Sequence, residues 1–425
     1  MNSNLLPEAA PAVCRPDFLE EIMRRHAPER EVRVRAVRPR PLDSSASILA
    51  NLAAGQSAGG RSLGLFGLDV ELRVAGGPWR WQPLVLKIKP SGREVSHLLT
   101  GLATAHGGPL AALYPRFEQQ TGFAATHHRE LAVYAEAARH PAAAGPLPLL
   151  PTVWATHADE ASETYYVLLE NLEGAELLNS VLTPARWTDA HLKAALTQLA
   201  AWHAWHLWPE QAGPLRAPTP PPAANAAEAV PAATEAPPAP AEGRPSRASM
   251  QALTPLWEAL LHHAATHCAG LYSPPRVRRL ERVIEQIPVY WQILDGLPKT
   301  LIHNDLNPRN ACFKRCPDGN LQFVAYDWEL ATYHVPHYDV LELLAFVLGP
   351  ERAAQRPAYL AHYRQALHEL TGLYPSQAEF DHVTRLAAND FGLHRLGLYL
   401  MAHAVSPYPF LPRLVEGYFA MLGEE

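Results

Sequence analysis

The sequence predicts an α+β protein in two lobes: an N-terminal antiparallel sheet with one key helix, then a mainly helical C-terminal lobe. Three observations predict it. Segments of strand length that alternate or run apolar crowd the first 170 residues. Apolar residues at three-to-four spacing dominate the rest, which sets the expected division at 1–170 and 171–425. Within the helical half, short strands and a hairpin turn surround one polar stretch, "TLIHNDLNPRNACF", Thr300 to Phe313.

In chain order, "DFLEEIMRRH" (17–26) reads as a short helix, with Asp17 as the N-cap that accepts from its free first-turn N–H groups. "EVRVRAV" (31–37) alternates strictly and predicts a strand; the loop after it carries Pro39, Pro41, Asp43, Ser44, Ser45 and Ser47. "LFGLDVELRV" (65–74) and "WQPLVLKIK" (81–89) predict two more strands around the turn "AGGP". A glycine-punctuated insertion leads to "HHRELAVYAEAARH" (127–140), whose Leu131, Tyr134 and Ala138 fit one helix face. "YYVLLENL" (165–172) predicts a buried strand ending in polar residues.

The second half opens with a helix over 188–208, where Leu192, Leu196, Leu199 and Trp202 or His203 fall at helical spacing. Residues 213–246 are almost all Pro, Ala, Glu and Gly. Too little apolar area is there to offset the entropy of ordering, so the segment predicts a disordered insertion within the helical lobe. Helices are expected again near 250–268 and 275–295, and from 338 to the end. Between them "TLIH", "ACFK" and "LQFVAYDW" read as short strands, with "CPDGN" as the turn joining the last two.

Composition narrows the function. The chain has 425 residues, 48% of them hydrophobic, enough for a sizeable core. Its net charge of −6 gives no electrostatic footprint for nucleic acid or an anionic membrane. No apolar run reaches about 18 residues, so no membrane span is predicted. The four cysteines, Cys14, Cys268, Cys312 and Cys316, are too scattered for a disulfide framework or a zinc site, and read as small thiols in a reducing compartment. The N-terminus lacks the basic and apolar regions of a signal peptide, so a cytoplasmic protein is expected.

The polar stretch carries the chemistry. His303, Asp305 and Asn310 sit in one loop, and the strand "VAYDWE" ends in Asp327. A strand, a polar loop, a hairpin and a second strand bring two carboxylates and an amide together. Hard cations such as Mg²⁺ take oxygen ligands, and Asn310 and Asp327 supply them. Asp305 then remains free to accept a proton from a hydroxyl. These are the parts that phosphoryl transfer needs.

"HNDLNPRN" followed by "YDWE" resembles the aminoglycoside phosphotransferase and choline kinase superfamily, in particular its choline-kinase and ecdysteroid-kinase-like members. The helix "LTQLAAWHAWH" resembles the one that precedes the family's insertion. Protein kinases share the loop spacing but carry D-F-G and A-P-E segments that are missing here. The resemblance implies a two-lobed, protein-kinase-like fold with a nucleotide-binding N-terminal lobe, ATP and Mg²⁺ as cofactors, and a small-molecule alcohol as acceptor. It implies Asp305 as catalytic base, Asn310 as catalytic and metal-binding, and Asp327 as metal ligand. It also implies a strand lysine on the phosphates, Lys87 in "LVLK" rather than Lys89, and a helix glutamate paired with it, Glu130 rather than Glu118. Glu170, Asn171 and Leu172 fall where the family's lobe-connecting hinge meets adenine, and Asp339 in "HYDVLELL" resembles the aspartate that braces the catalytic loop. The phosphate-covering loop of protein kinases is glycine-rich, but 39–47, "PRPLDSSAS", has no glycine. Ser45, among Ser44 to Ser47, is the candidate there.

Other readings compete with these. The same loop serves a Ser or Thr hydroxyl on a peptide equally well, and a catalytically weak pseudokinase used as a binding module is a second alternative. His303 reads as a packing and hydrogen-bonding residue and Lys89 as solvated. Glu329 reads as near a second cation or in a salt bridge. Trp202, His203, Trp205, His206 and Trp208 lie at helical spacing and read as core plus interface rather than a metal or aromatic-cage site. The acceptor site is expected from parts of 250–295 and 338–420.

Overall fold

Strand alternation builds the N-terminal lobe. β1 (Arg33–Arg40), β2 (Gly64–Arg73), β3 (Arg80–Lys89), β4 (Val153–Asp159) and β5 (Thr164–Glu170) form one antiparallel sheet in the order β1-β2-β3-β5-β4. Residues two apart on a strand share a face. Leu68, Val70 and Leu72 of β2 and Leu84, Leu86 and Ile88 of β3 therefore bury together against Leu19, Ile22 and Met23 of α1 (Pro16–His26). On β5, Tyr166 and Leu168 join that core, while Tyr165, Val167 and Leu169 face the opposite way into the main core. The coordinates are a computed structural model, which describes residues 15–42, 63–139, 149–207, 244–404 and 407–423. Ser45, Cys14, Trp208 and all but the last three residues of 213–246 lie outside the described residues.

Three helices follow β3 before β4 returns: α2 (Gly92–His106), α3 (Gly108–Phe117) and α4 (Thr126–Arg139). The C-terminal part holds α5 (Asp189–Trp205), α6 (Arg247–Ala252), α7 (Thr254–His267), α8 (Pro274–Glu285) and α9 (Ile287–Asp295). After the central strands come α10 (His337–Val347), α11 (Gly349–Arg352), α12 (Arg356–Thr371), α13 (Gln377–His403) and α14 (Leu411–Leu422). β6 (Thr300–Ile302) pairs with β9 (Thr332–His334), and β7 (Ala311–Arg315) with β8 (Leu321–Ala325), both antiparallel. At the β7–β8 turn Gly319 adopts a φ of 84°, which only glycine takes without strain. Every residue of α10 is buried, as expected for a helix apolar on most faces.

The fold class is the predicted one, and several details differ. Asp17 lies in the first turn of α1, after Pro16 at the first helical position; Arg15 is the N-cap. Proline there gives up only an N–H that would be unpaired anyway, so the helix starts earlier than its aspartate. The glycine-punctuated insertion is two helices, so the lobe has more than one prominent helix. Ser91 caps Glu94 N–H and the Glu94 side chain caps Ser91 N–H, an S-x-x-E box legible in the sequence as "SGRE". Ser246, assigned to the insertion, caps α6 by accepting from Ser249 N–H. The expected single helix over 275–295 breaks at Gln286 into α8 and α9. Trp202, His203 and His206 are buried, whereas Trp205 is exposed.

Candidate active site

The site forms where β3 and α4 of the sheet lobe face the β6–β9 region. Lys87 and Lys89 are two apart on β3, so both project toward α4. There Glu130 is fully buried. Lys87 Nζ donates to Glu130 Oε2 at 2.8 Å and Oε1 at 3.1 Å, and also to Asp327. Lys89 donates to Glu130 and, at 2.9 Å, to Glu329. Lys87 and Glu329 are 3.8 Å apart, so Lys87, Glu130, Lys89 and Glu329 close a ring of alternating charge. Lys89 is therefore buried and paired, not solvated as expected. The reason is strand geometry: a lysine sharing the face of Lys87 meets the same carboxylate. Glu118 is not part of this ring; it accepts from Thr100 on α2 at 2.7 Å.

Asp327 follows β8 with φ 67° and ψ 52°, a left-handed conformation that aspartate and asparagine tolerate better than most residues. Its N–H donates to the Tyr134 hydroxyl of α4 at 3.2 Å. Burial alone would raise its pKa. The charges of Lys87 and Lys89 outweigh burial and hold the carboxyl at about 2. Glu329 moves the other way, raised by burial and by repulsion from Asp327. Lys87 stays charged: burial opposes its proton, but Asp327, Glu130 and Glu329 raise its pKa well above the ordinary value.

The loop of His303 to Asn310 is braced from beneath by α10. Asp339 accepts the N–H of His303 at 2.7 Å and of Asn304 at 2.9 Å, and Glu342, one turn later, accepts that of Leu306 at 2.8 Å. Buried Asp339 also faces His203 Nε2 of α5 at 3.3 Å. Burial lowers the His203 pKa even against that carboxylate. His303 Nε2 donates to the Tyr326 carbonyl at 2.9 Å and its ring packs on Trp328, the structural part expected of it. Within the loop, Asn310 Nδ2 donates to Asp305 Oδ2 at 2.8 Å, and Asn307 Nδ2 to Asp305 Oδ1 at 3.1 Å. From α13, the Tyr399 hydroxyl donates to Asp305 and Arg395 to the Asn304 carbonyl.

A cleft of about 550 Å³ joins these groups; Lys87, Glu130, Glu170, Asn171, Leu172, Asp305, Asn310 and Asp327 all line it. The Glu170 carboxylate is engaged by Lys314 at 2.8 Å and by Thr152 N–H at 2.7 Å, so it braces β7 against the sheet. Asn171 N–H donates to the Pro83 carbonyl at 3.1 Å. On the far wall, Leu398, Tyr399 and Ala402 of α13 fall within the expected 338–420, whereas Val95 and Leu99 of α2 and Phe123 were missed, and among the described residues none of 250–295 lines the cleft. Neither helix carries a motif. Only the i, i+4 spacing of Val95 with Leu99, and of Leu398 with Ala402, hinted at apolar faces.

A profile of the phosphotransferase enzyme family matches residues 73–373, most of the chain, including Lys87, Glu130, Asp305, Asn310 and Asp327. The chain belongs to that family. Among solved structures, the phosphotransferase is similar to an ethanolamine kinase from Plasmodium vivax (10% identity, 91% of this chain and 81% of that one, TM-score 0.44). It is also similar to choline kinase LicA from Streptococcus pneumoniae (12% identity, 91% and 94%, TM-score 0.39). A third is an aminoglycoside phosphotransferase from Streptomyces rimosus, solved with ADP and streptomycin (13% identity, 85% and 99%, TM-score 0.38). No curated protein matches the phosphotransferase. No helix among its described residues is long and apolar enough to cross a membrane.

Proposed function

We propose that the protein transfers the γ-phosphoryl group of ATP to a hydroxyl of a small molecule. One observation carries the reading: Lys87, held between Glu130 and Asp327, lines the same cleft as the Asp305–Asn310 pair. Lys87 binds the nucleotide phosphates and Glu130 orients it. Glu170 to Leu172 meet adenine through backbone groups, because the Glu170 carboxylate is already engaged. The lobe of residues 1–170 holds the nucleotide, and 171–425 supplies the catalytic loop and the acceptor side.

The donor set suits Mg²⁺. Asp327 is ionised, and among the described residues no donor reaches Asn310 Oδ1, whose amide nitrogen is turned onto Asp305. Asp327 and Asn310 would hold the ion. Bound there, it supplies charge neutralisation for the transferring phosphate. Asp305 takes the acceptor proton. Asn307, Asn310 and Tyr399 fix its carboxylate, so little reorganisation is needed when the hydroxyl arrives.

The test is a Mg-ATP titration of purified variants beside their ATP consumption. Asp305→Asn should keep Mg-ATP affinity within a few fold and lose turnover by about 10²–10⁴. Asp327→Asn should lose both. An active Asp305→Asn, or normal Mg-ATP binding by Asp327→Asn, would overturn these roles; Mg-ATP binding by the natural protein with no ATP consumption would favour a binding module.

A further inference from the structure

We infer, building on the phosphotransferase reading above, that the acceptor is an uncharged alcohol carried on an apolar body, selected over cationic acceptors. The cleft beyond Asp305 is walled by Val95 and Leu99 from α2, Phe123, and Leu398 and Ala402 from α13. His106 at the end of α2 lies 2.8 Å from the Met401 carbonyl, so the two apolar walls are tied together at their far end.

A polycation needs carboxylates, and none is spare among the described residues. Among the described residues the cleft has Glu130, Glu170, Asp305, Asp327 and Glu329. Glu130, Asp327 and Glu329 are committed to Lys87 and Lys89, and Glu170 to Lys314. Asp305 is the base and has Arg309 3.9 Å away. Arg309 and Arg395 both line the cleft, and both keep their charge: burial opposes it, but Tyr399 and Asp305 raise the pKa of Arg309, and Asp305 and Glu342 that of Arg395. Arg309 faces Asp305 and Arg395 faces Glu342, each at 3.9 Å, so neither carboxylate is left over for a positive acceptor.

A quaternary ammonium needs convergent aromatic faces instead. Among the described residues the cleft has Phe123, Tyr326, Tyr399 and Tyr408; the Tyr326 hydroxyl is tied to the Arg309 carbonyl at 2.8 Å, Tyr399 lies beside a guanidinium and Tyr408 stacks on a ring that does, which leaves Phe123 as a single face. The Arg309 guanidinium lies 5.6 Å from the Tyr399 ring and 5.1 Å from that of Phe410, which stacks on Tyr408. A bound cation would have to share those rings with the Arg309 guanidinium. An apolar body instead gains from covering half-buried Phe123 and Ala402, which stand beside Leu99 and Leu398.

In the step, the acceptor oxygen forms a bond to the γ-phosphorus as the β,γ-bridging P–O bond breaks. ADP leaves with that electron pair, and the hydroxyl proton passes to Asp305. The product is a neutral-bodied phosphomonoester.

The experiment uses the full chain with Mg-ADP for binding and Mg-ATP for turnover. The probes are 4-phenylbutan-1-ol and cyclohexylmethanol, choline, and kanamycin. The uncharged alcohols should raise the melting temperature of the Mg-ADP-loaded protein and be converted to phosphomonoesters with kcat/KM about tenfold or more above choline or kanamycin. Leu398→Asp should cut alcohol turnover at least about tenfold, whereas Leu398→Met should retain most of it. A thermal shift by Mg-ATP shows that each variant is folded. Equal or better binding of choline or kanamycin would overturn the inference and leave the kinase reading standing, as would failure of every alcohol to bind. Absence of Mg-ATP binding, with no Asp305-dependent ATP consumption, would remove the kinase reading itself.

Discussion

Lys87 and Lys89 share Glu130 but differ in what else they hold. Lys87 also reaches Asp327, whereas Lys89 is the nearer cation to Glu329, at 2.9 Å against 3.8 Å. Removing Lys89 leaves two buried carboxylates with one shared cation, and breaking a buried pair costs about 3–5 kcal/mol. Removing Lys87 also strands Asp327, but that side chain is 31% exposed, whereas Glu130 and Glu329 stay joined through Lys89, which is only 1% exposed. Lys89→Met should therefore be the more destabilised variant, while Lys87→Met should lose more turnover per folded molecule. Urea melts and ATP consumption, measured on both, check this; the opposite order in either measurement would refute the division of roles.

At the scale of elements, α10 decides whether the catalytic loop holds its shape. Asp339 and Glu342 are three apart, so they sit on one helix face beneath the loop. Burial and the nearby charge of Asp305 push Glu342 up to about 8, with Arg395 pulling the other way, from an ordinary value of 4.5. Between those values the folded chain holds a proton that the unfolded chain has released. The stability this group contributes is complete below about pH 4.5 and is lost as pH rises through about 8. Glu342→Gln keeps an acceptor for Leu306 N–H and removes the titration. The melting temperature of Glu342→Gln, relative to the natural protein, should climb steadily from pH 5 to pH 8.5; a difference constant with pH would show that Glu342 is already ionised in the fold.

Across the whole molecule, the lobes meet through charged groups. Lys87 with Asp327, Lys89 with Glu329 and Lys314 with Glu170 all join the sheet lobe to the β7–β9 region. A ligand seated among them binds only the assembled pair of lobes. Mg-ATP at a hundred times its Kd should therefore stabilise the protein by about 2.7 kcal/mol. The gain should shrink sharply in Asp327→Asn, a comparison that differential scanning calorimetry makes directly. An undiminished gain in that variant would place the nucleotide elsewhere.

The linear order of residues determined the fold class and brought Asp305, Asn310 and Asp327 into view as candidates, because their strands, loop and hairpin are local; Lys87 and Glu130 came into view through the family resemblance that this loop carries. Alternation on β2 and β3, the S-x-x-E box of α2 and the H-x-D-x-x-x-x-N spacing are all properties of a few consecutive residues. Tertiary structure decided the rest. It put Lys89 into the charge ring, turned the Glu170 carboxylate onto Lys314 and brought Tyr399 to Asp305 across 94 positions of chain. It also set α2 opposite α13 as the far wall of the cleft. Those contacts join segments with no mutual periodicity, so their partners exist only once the chain has folded, and burial then sets the charge each group carries.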